Sequence, residues 1–245
     1  CKFNSSISCD IGINMLKSED KGTAFYRCCS GGCIYRQAKT EFLNSSEGVT
    51  NFSYFLTEGS FAGQTIKPRQ VLVVDEAHNV EEALGKFIEV TISERFSRSA
   101  LKLEMPSFKS DVQAFRWVKD VYYPKLQTHV KHIESILAKF SGIKDKLSDQ
   151  LKQHQQLDML KKHFSKIDKF ILVWSENNWA TNFVEAIGQA ERKVEFKPVD
   201  IGVFSQESLF RFGQKIVMMS ATIINHEAFC SSLGISLDEA ATPGV

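Results

Sequence analysis

The apolar positions of this chain change their period several times, and each change marks an element. Residues 70–75 (QVLVVD) form a short β-branched run that ends on an acidic side chain. A continuous apolar run, unlike an alternating one, predicts a strand buried on both faces of a parallel sheet. Residues 216–219 (IVMM) read the same way, and Ser220-Ala221-Thr222 and a predicted helix over 225–233 follow them. Between the two strands the period becomes helical. Residues 77–92 predict a first helix. From 112 to 140, Phe115, Val118, Tyr122, Leu126, Val130, Ile133, Leu137 and Phe140 recur three or four positions apart, which predicts a long amphipathic helix with a bend at Pro124. Leu157, Leu160, Phe164, Ile167 and Ile171 predict another, and the polar stretch 144–156 between them reads as a turn and a solvated face. Residues 178–186 and 193–199 predict two strands joined by a polar turn. Upstream, 49–56 (VTNFSYFL) predicts a helix with Asn51 placed to cap its start. Residues 1–45 are irregular, with short helical patches at 13–17 and 35–42. The order of strand, long helical block and strand predicts an α/β core interrupted by an inserted helical domain.

Composition narrows the class without naming a partner. The 245 residues are 43% hydrophobic and 24% charged, ordinary for a globular protein. Thirty basic residues against 29 acidic leave a formal charge of +1, so a nucleic-acid surface would have to be a local patch. No apolar run is long enough to cross a bilayer, and nothing at the start reads as a signal peptide, which predicts a soluble intracellular protein without a membrane partner. The chain starts at Cys1 and stops at Val245 directly after a predicted helix, as a piece of a longer reading frame would.

Cysteine placement changes the picture. Of six cysteines, five (Cys1, Cys9, Cys28, Cys29 and Cys33) fall in the first 33 residues, and Cys230 stands alone in an apolar helical pattern that makes it a core residue. A terminal cluster in an otherwise cysteine-poor chain predicts a metal or cluster site that organises a segment with too few apolar residues of its own. Trp117, Trp174 and Trp179 are read as core side chains of the inserted helical domain.

Asp75-Glu76-Ala77-His78 directly follows the first buried-type strand. Ligands of open α/β sheets bind beyond the carboxyl ends of strands, so Asp75 stands where a carboxylate can hold a phosphate-bound Mg²⁺. Glu76 can orient and deprotonate an attacking water, and His78 can relay the nucleotide's state. The alternative is an acidic strand end that merely caps the next helix. The Ser220 and Thr222 hydroxyls, behind the second strand, can hydrogen-bond that acidic box, although such a tripeptide commonly just caps a helix. No G-x-x-x-x-G-K-[ST] loop occurs in the chain, so as it stands it is expected not to hydrolyse ATP.

VLVVDEAHNVEE (71–82) and VMMSATI (217–223) resemble motifs II and III of superfamily 2 helicases. With the upstream cysteines, the long helical insertion between the motifs and FKPVDIG (196–202), the chain resembles the iron–sulfur XPD/DinG branch of that superfamily. The resemblance implies an α/β fold: a partial RecA-like motor domain on a parallel sheet, a cysteine-rich cluster domain and an inserted, mainly helical Arch domain. It places the cluster domain at 1–45, the motor with its DEAH box at 46–92, the Arch at 93–200 and the return to the motor at 201–245. It implies an ATP-dependent 5′-to-3′ DNA helicase, working as a monomer on single-stranded and forked duplex DNA, with Asp75, Glu76, His78, Ser220 and Thr222 in the motor site. It also implies a 4Fe–4S cluster held by Cys1, Cys9, Cys28 and Cys33, with Cys29 the alternative to Cys28; a Cys₄ zinc site is the rival. Tyr35, Arg36 and Lys39, just after the last of these cysteines, form a candidate single-strand contact that combines stacking with phosphate attraction; a solvated helix face is the competing reading. A different class, a catalytically silent nucleic-acid-binding or scaffold protein, would keep the motifs as remnants.

Overall fold

The computed structural model of the chain describes residues 33–60, 66–140, 147–186 and 191–241. Among them, in chain order, are helices α1 (Ile34–Asn44) and α2 (Phe52–Ser60), strand β1 (Arg69–Val74), a 3-10 turn (Ala77–Asn79), α3 (Val80–Ile88), β2 (Val90–Ser93) and α4 (Glu94–Ser99). There follow α5 (Asp111–Trp117), a π-turn (Val118–Tyr122), α6 (Tyr123–Phe140), α7 (Leu147–Val173), β3 (Trp179–Val184) and β4 (Lys193–Pro198). The described chain closes with α8 (Gly202–Ser208), a second 3-10 turn (Phe210–Phe212), β5 (Gly213–Met218) and α9 (His226–Ser232). It is a mixed α/β protein with a small parallel sheet and several helices, and it divides into two compact units.

One unit spans residues 49–96, 105–114 and 172–245 and carries both sheets. β1 and β5 run parallel, with Leu72 opposite Ile216 and Val74 opposite Met218. Alternation along β1 sends Val74 into a core with Phe55, Leu56, Ala77, Val80, Leu84, Leu209, Phe212 and Leu233. The opposite face carries Val71 and Val73, which are 51% and 54% exposed, so the expectation of a strand buried on both faces does not hold. A run in which every position is apolar cannot say which of its faces the fold covers.

The predicted helix over 77–92 is also divided. Helix α3 ends at Ile88, Glu89 leaves helical geometry, and Val90-Thr91-Ile92 becomes β2. Val90 and Ile92 are buried there, and the strand lies antiparallel to β4, which in turn pairs with β3. β-branched residues lose little in an extended chain, and pairing with the central strand decides the matter. At the other end of the unit, Gly202 and Gly234 meet so closely that a Cβ on either would lie 2.8 Å from the other's Cα. Gly234 also has φ +69, a left-handed conformation that favours glycine after a helix.

The other unit, residues 1–48, 97–104 and 115–171, is helical where it is described. Val118, Tyr122, Leu126, Val130 and Ile133 are buried along the π-turn and α6, and Leu160 and Ile167 along α7, as their spacing predicts; at the end of α7 it is Phe170 that is buried, where Ile171 was expected. The region 144–156 differs from expectation, because α7 begins at Leu147. Its Lys, Gln and Leu residues are good helix formers and it holds no Gly or Pro, so polarity alone does not mark a turn. Trp117 packs on Tyr122 in this unit, whereas Trp179 is buried against Phe204 in the other, so these tryptophans do not share one core.

Candidate active site

The carboxyl ends of β1 and β5 are tied together at backbone level. The Met219 amide donates to the Val74 carbonyl at 2.9 Å, and the Ala77 amide donates to the Met219 carbonyl, also at 2.9 Å. One residue of β5's extension thus serves both sides of the bend that follows β1. Asp75 stands at that bend, exposed, with one carboxylate oxygen accepting the Glu76 amide at 2.9 Å.

Glu76 is the irregular residue. Its backbone is left-handed, φ 51 and ψ 44, a conformation that costs a residue with a Cβ on the order of 1 kcal/mol. A 3-10 turn begins immediately after it. In a regular helix, residues two apart face away from one another. Here the reversed backbone and the tight turn bring the Glu76 carboxylate to 3.3 Å from His78 Nδ1.

His78 Nδ1 also lies 2.8 Å from Ser220 Oγ, joining positions 142 residues apart. Ser220 Oγ is 3.2 Å from Thr222 Oγ1 and accepts the Thr222 amide at 3.2 Å. A carboxylate only accepts, so Nδ1 must carry a hydrogen for the Glu76 contact to be favourable. Ser220 Oγ then accepts from His78 and from the Thr222 amide, and its own hydrogen goes to Thr222 Oγ1. Both Glu76 and Ser220 sit on the same imidazole nitrogen, so the set lacks the relay of a nucleophilic-serine triad, in which acid and nucleophile occupy opposite nitrogens.

The residues singled out in the sequence therefore separate. Asp75, Glu76, His78, Ser220 and Thr222 come together at the ends of the two parallel strands. Tyr35 and Lys39 are one helical turn apart on α1, with the Tyr35 ring about half exposed; Arg36 belongs to the same helix, but its side chain is outside the described residues. Cys33 precedes α1 at its N-cap position, and Cys1, Cys9, Cys28 and Cys29 lie outside the described residues. Among the described residues, no three His, Cys, Asp or Glu side chains converge as metal donors. Cys230 is buried, as its apolar setting predicts.

Two further polar constellations were not legible in the sequence. Arg192 donates to the Met105 and Pro106 carbonyls at 2.8 and 2.6 Å and lies 3.5 and 3.6 Å from Glu94 and Glu185. On β4, Glu195 is largely buried between Lys193 and Lys197 and accepts from Asn182 of β3 at 3.0 Å. The Lys193 ammonium, followed by the Asn182 amide and Lys197, holds the Glu195 carboxyl below the usual range against the opposing effect of burial. The Met105 and Pro106 carbonyls reach Arg192 from a distant part of the chain, and Asn182 reaches Glu195 through strand pairing, so the fold defines these contacts.

No protein-family model matches the chain, and neither does any curated protein. No helix among the described residues is long and apolar enough to cross a membrane.

Proposed function

We propose that this chain is part of an ATP-driven DNA helicase of the iron–sulfur XPD/DinG kind, contributing the acidic box of a RecA-like motor, a cluster domain and a helical Arch. The observation that carries the reading is the meeting of Asp75-Glu76-Ala77-His78 with Ser220-Ala221-Thr222 at the ends of adjacent parallel strands, bonded through His78 and Ser220. A mere helix cap at either place would have no need of a partner so far away in sequence.

In this reading Asp75 holds the Mg²⁺ of the bound nucleotide, with the Glu76 amide orienting one of its oxygens. Glu76 takes the proton of the attacking water, and His78, Ser220 and Thr222 connect that event to β5. The phosphate-cradling loop belongs to a part of the motor not present in this sequence. Cys1, Cys9, Cys28 (or Cys29) and Cys33 hold the cluster, and Tyr35, Arg36 and Lys39 meet single-stranded DNA beside it. The resemblance supplies DNA as substrate, forked duplexes included, and the 5′-to-3′ direction; a monomeric, soluble, intracellular enzyme completes the proposal.

Glu76→Gln in the full-length polypeptide tests the assignment. It keeps the shape and removes the base, so DNA-stimulated ATP hydrolysis should fall by about a hundredfold or more while nucleotide binding stays nearly intact. Hydrolysis within a few-fold of wild type would remove Glu76 from the role of base.

A further inference from the structure

We infer that the solvent face of α6 is a docking surface for double-stranded nucleic acid, held through its phosphates without regard to sequence. The inference rests on the reading above for its duplex partner and gives that partner a place, but it draws on neither the acidic box nor the cysteines. Charge is divided unevenly along the sequence. Residues 115–171 hold twelve Lys or Arg against six Asp or Glu, and the remainder holds 18 against 23, so a near-neutral chain carries a block of +6.

Within α6 the excess falls on one line. Lys125, Thr128, His132, Ser135 and Lys139 recur three or four positions apart and are all exposed, with Lys131 beside them. Leu126, Val130 and Ile133 take the buried side. The Thr128 and Ser135 hydroxyls donate to the Pro124 and His132 carbonyls, so the line stays neutral there. Glu134 is the one acid in the sequence of α6, and it is turned to Lys161 of α7 at 2.7 Å. A solvated face ordinarily mixes signs, as α3 does with Glu81, Glu82 and Lys86. The outer line of α6 carries no carboxylate.

Chemistry selects the partner. A protein interface centres on apolar or aromatic anchors, and among the described residues α6 exposes no large apolar side chain. A single strand is held by stacking its bases on rings as well as by cations, and the line offers no ring but the His132 imidazole. A duplex keeps its bases stacked inside and presents phosphates, which ask only for cations. Lysines act there as point charges and do not fork onto a base edge as arginine does. From Lys125 to Lys139 the line runs about 21 Å, enough to reach phosphates on both sides of a major groove roughly 12 Å wide.

Fluorescence anisotropy on the chain as it is, without ATP, tests this with a short labelled DNA duplex of mixed sequence, its single strand and a polyglutamate peptide. Lys125→Gln, Lys131→Gln and Lys139→Gln together should weaken duplex binding by about tenfold or more, and should flatten the slope of log affinity against log salt by about three. Lys67→Gln, Lys109→Gln and Lys215→Gln together remove the same charge from exposed positions of the sheet-bearing unit and should leave duplex affinity nearly unchanged. Glutamine keeps the helix propensity of lysine, and an unchanged far-ultraviolet circular dichroism spectrum checks that each variant is folded. Absence of duplex binding, an unchanged affinity in the α6 variant or an equal loss in both variants overturns the inference. Single strand bound as tightly as the duplex overturns the choice of duplex, and tighter binding of polyglutamate makes the partner an acidic protein instead. ATP hydrolysis by Glu76→Gln bears on the motor reading alone, so either reading can fail while the other stands.

Discussion

The side-chain oxygen of Asn51 accepts the Tyr54 amide at 2.8 Å, and its carbonyl takes the Phe55 amide at 3.0 Å. The first satisfies one of the donors that the first turn of α2 would otherwise leave open, and the second is the first regular bond of the helix. Asn51→Ala is expected to destabilise the sheet-bearing unit by about 1 kcal/mol, as measured by urea unfolding, because Phe55 and Leu56 in the core depend on where this helix starts. The residue was legible because a cap acts on its own neighbours. Glu76 was legible as an acid and not as a left-handed residue, since nothing in its side chain favours that backbone. The Met219 bonds on either side of the bend impose it.

The π-turn at residues 118–122 shows how one element can be right in outline and different in detail. A single helix bent at Pro124 was predicted; helical backbone does run without a gap from residue 111 to 140, and it widens into a π-turn at 118–122, immediately ahead of the proline whose ring a regular helix interior would not accommodate. The Tyr123 amide reaches back to the Val118 carbonyl across this wider ring. Successive side chains are then rotated by less than in an α-helix, and adjacent tyrosines both reach α7. Tyr122 pairs through its hydroxyl with His163 Nε2 at 2.9 Å, and Tyr123 donates to Asp168 at 2.6 Å while stacking on Phe164. The bond to Asp168, then burial, pushes the Tyr123 hydroxyl up to about 12.

Burial, with Lys166 adding to it, lowers the His163 imidazole to about 4, so the ring is neutral at pH 7. A group whose pKa is lower folded than unfolded contributes fully above its unfolded value and loses that contribution as pH falls through the folded one. The helical unit should therefore lose up to about 3 kcal/mol between pH 7 and pH 4, with burial of His129 and His154 acting in the same direction. Urea unfolding followed by far-ultraviolet circular dichroism at the two pH values checks this. His163→Gln should flatten the dependence; an equally steep decline in that variant would remove His163 as its main source.

At the scale of the whole molecule, different stretches of the chain have different means of being held. Helices α6 and α7 have a regular apolar seam, whereas the cysteine-rich segment at the chain's start has little apolar content to bury. If thiolate–iron bonds replace a core there, folding of that segment depends on the metal. Protein purified without oxygen should be brown, with broad absorbance at about 400 nm and about four irons per chain. Cys33→Ser should bleach it while leaving the helical signal of α6 and α7 in place. Cys28→Ser and Cys29→Ser should differ, with Cys28 expected to be the ligand. One bound zinc in a colourless protein would replace the iron assignment, and metal content unchanged in every single cysteine variant would discard the ligand set.

By itself the sequence determined the features that act over a few residues or repeat with a period. These include the cap at Asn51, the parallel-type strands read at 70–75 and 216–219 and found at 69–74 and 213–218, the buried stripes of α6 and α7, the strand pair of β3 and β4, and the burial of Cys230. Tertiary structure alone decided which face of β1 is covered, that 90–93 becomes a strand beside β4, that polar residues 147–156 continue a helix, and how Arg192 gathers its acceptors. The reason is the range of the causes. Propensity, capping and periodicity are written in neighbouring residues, whereas pairing, covering and a left-handed Glu76 depend on groups as remote as Met219 and Ser220, which only the folded backbone brings within hydrogen-bonding distance.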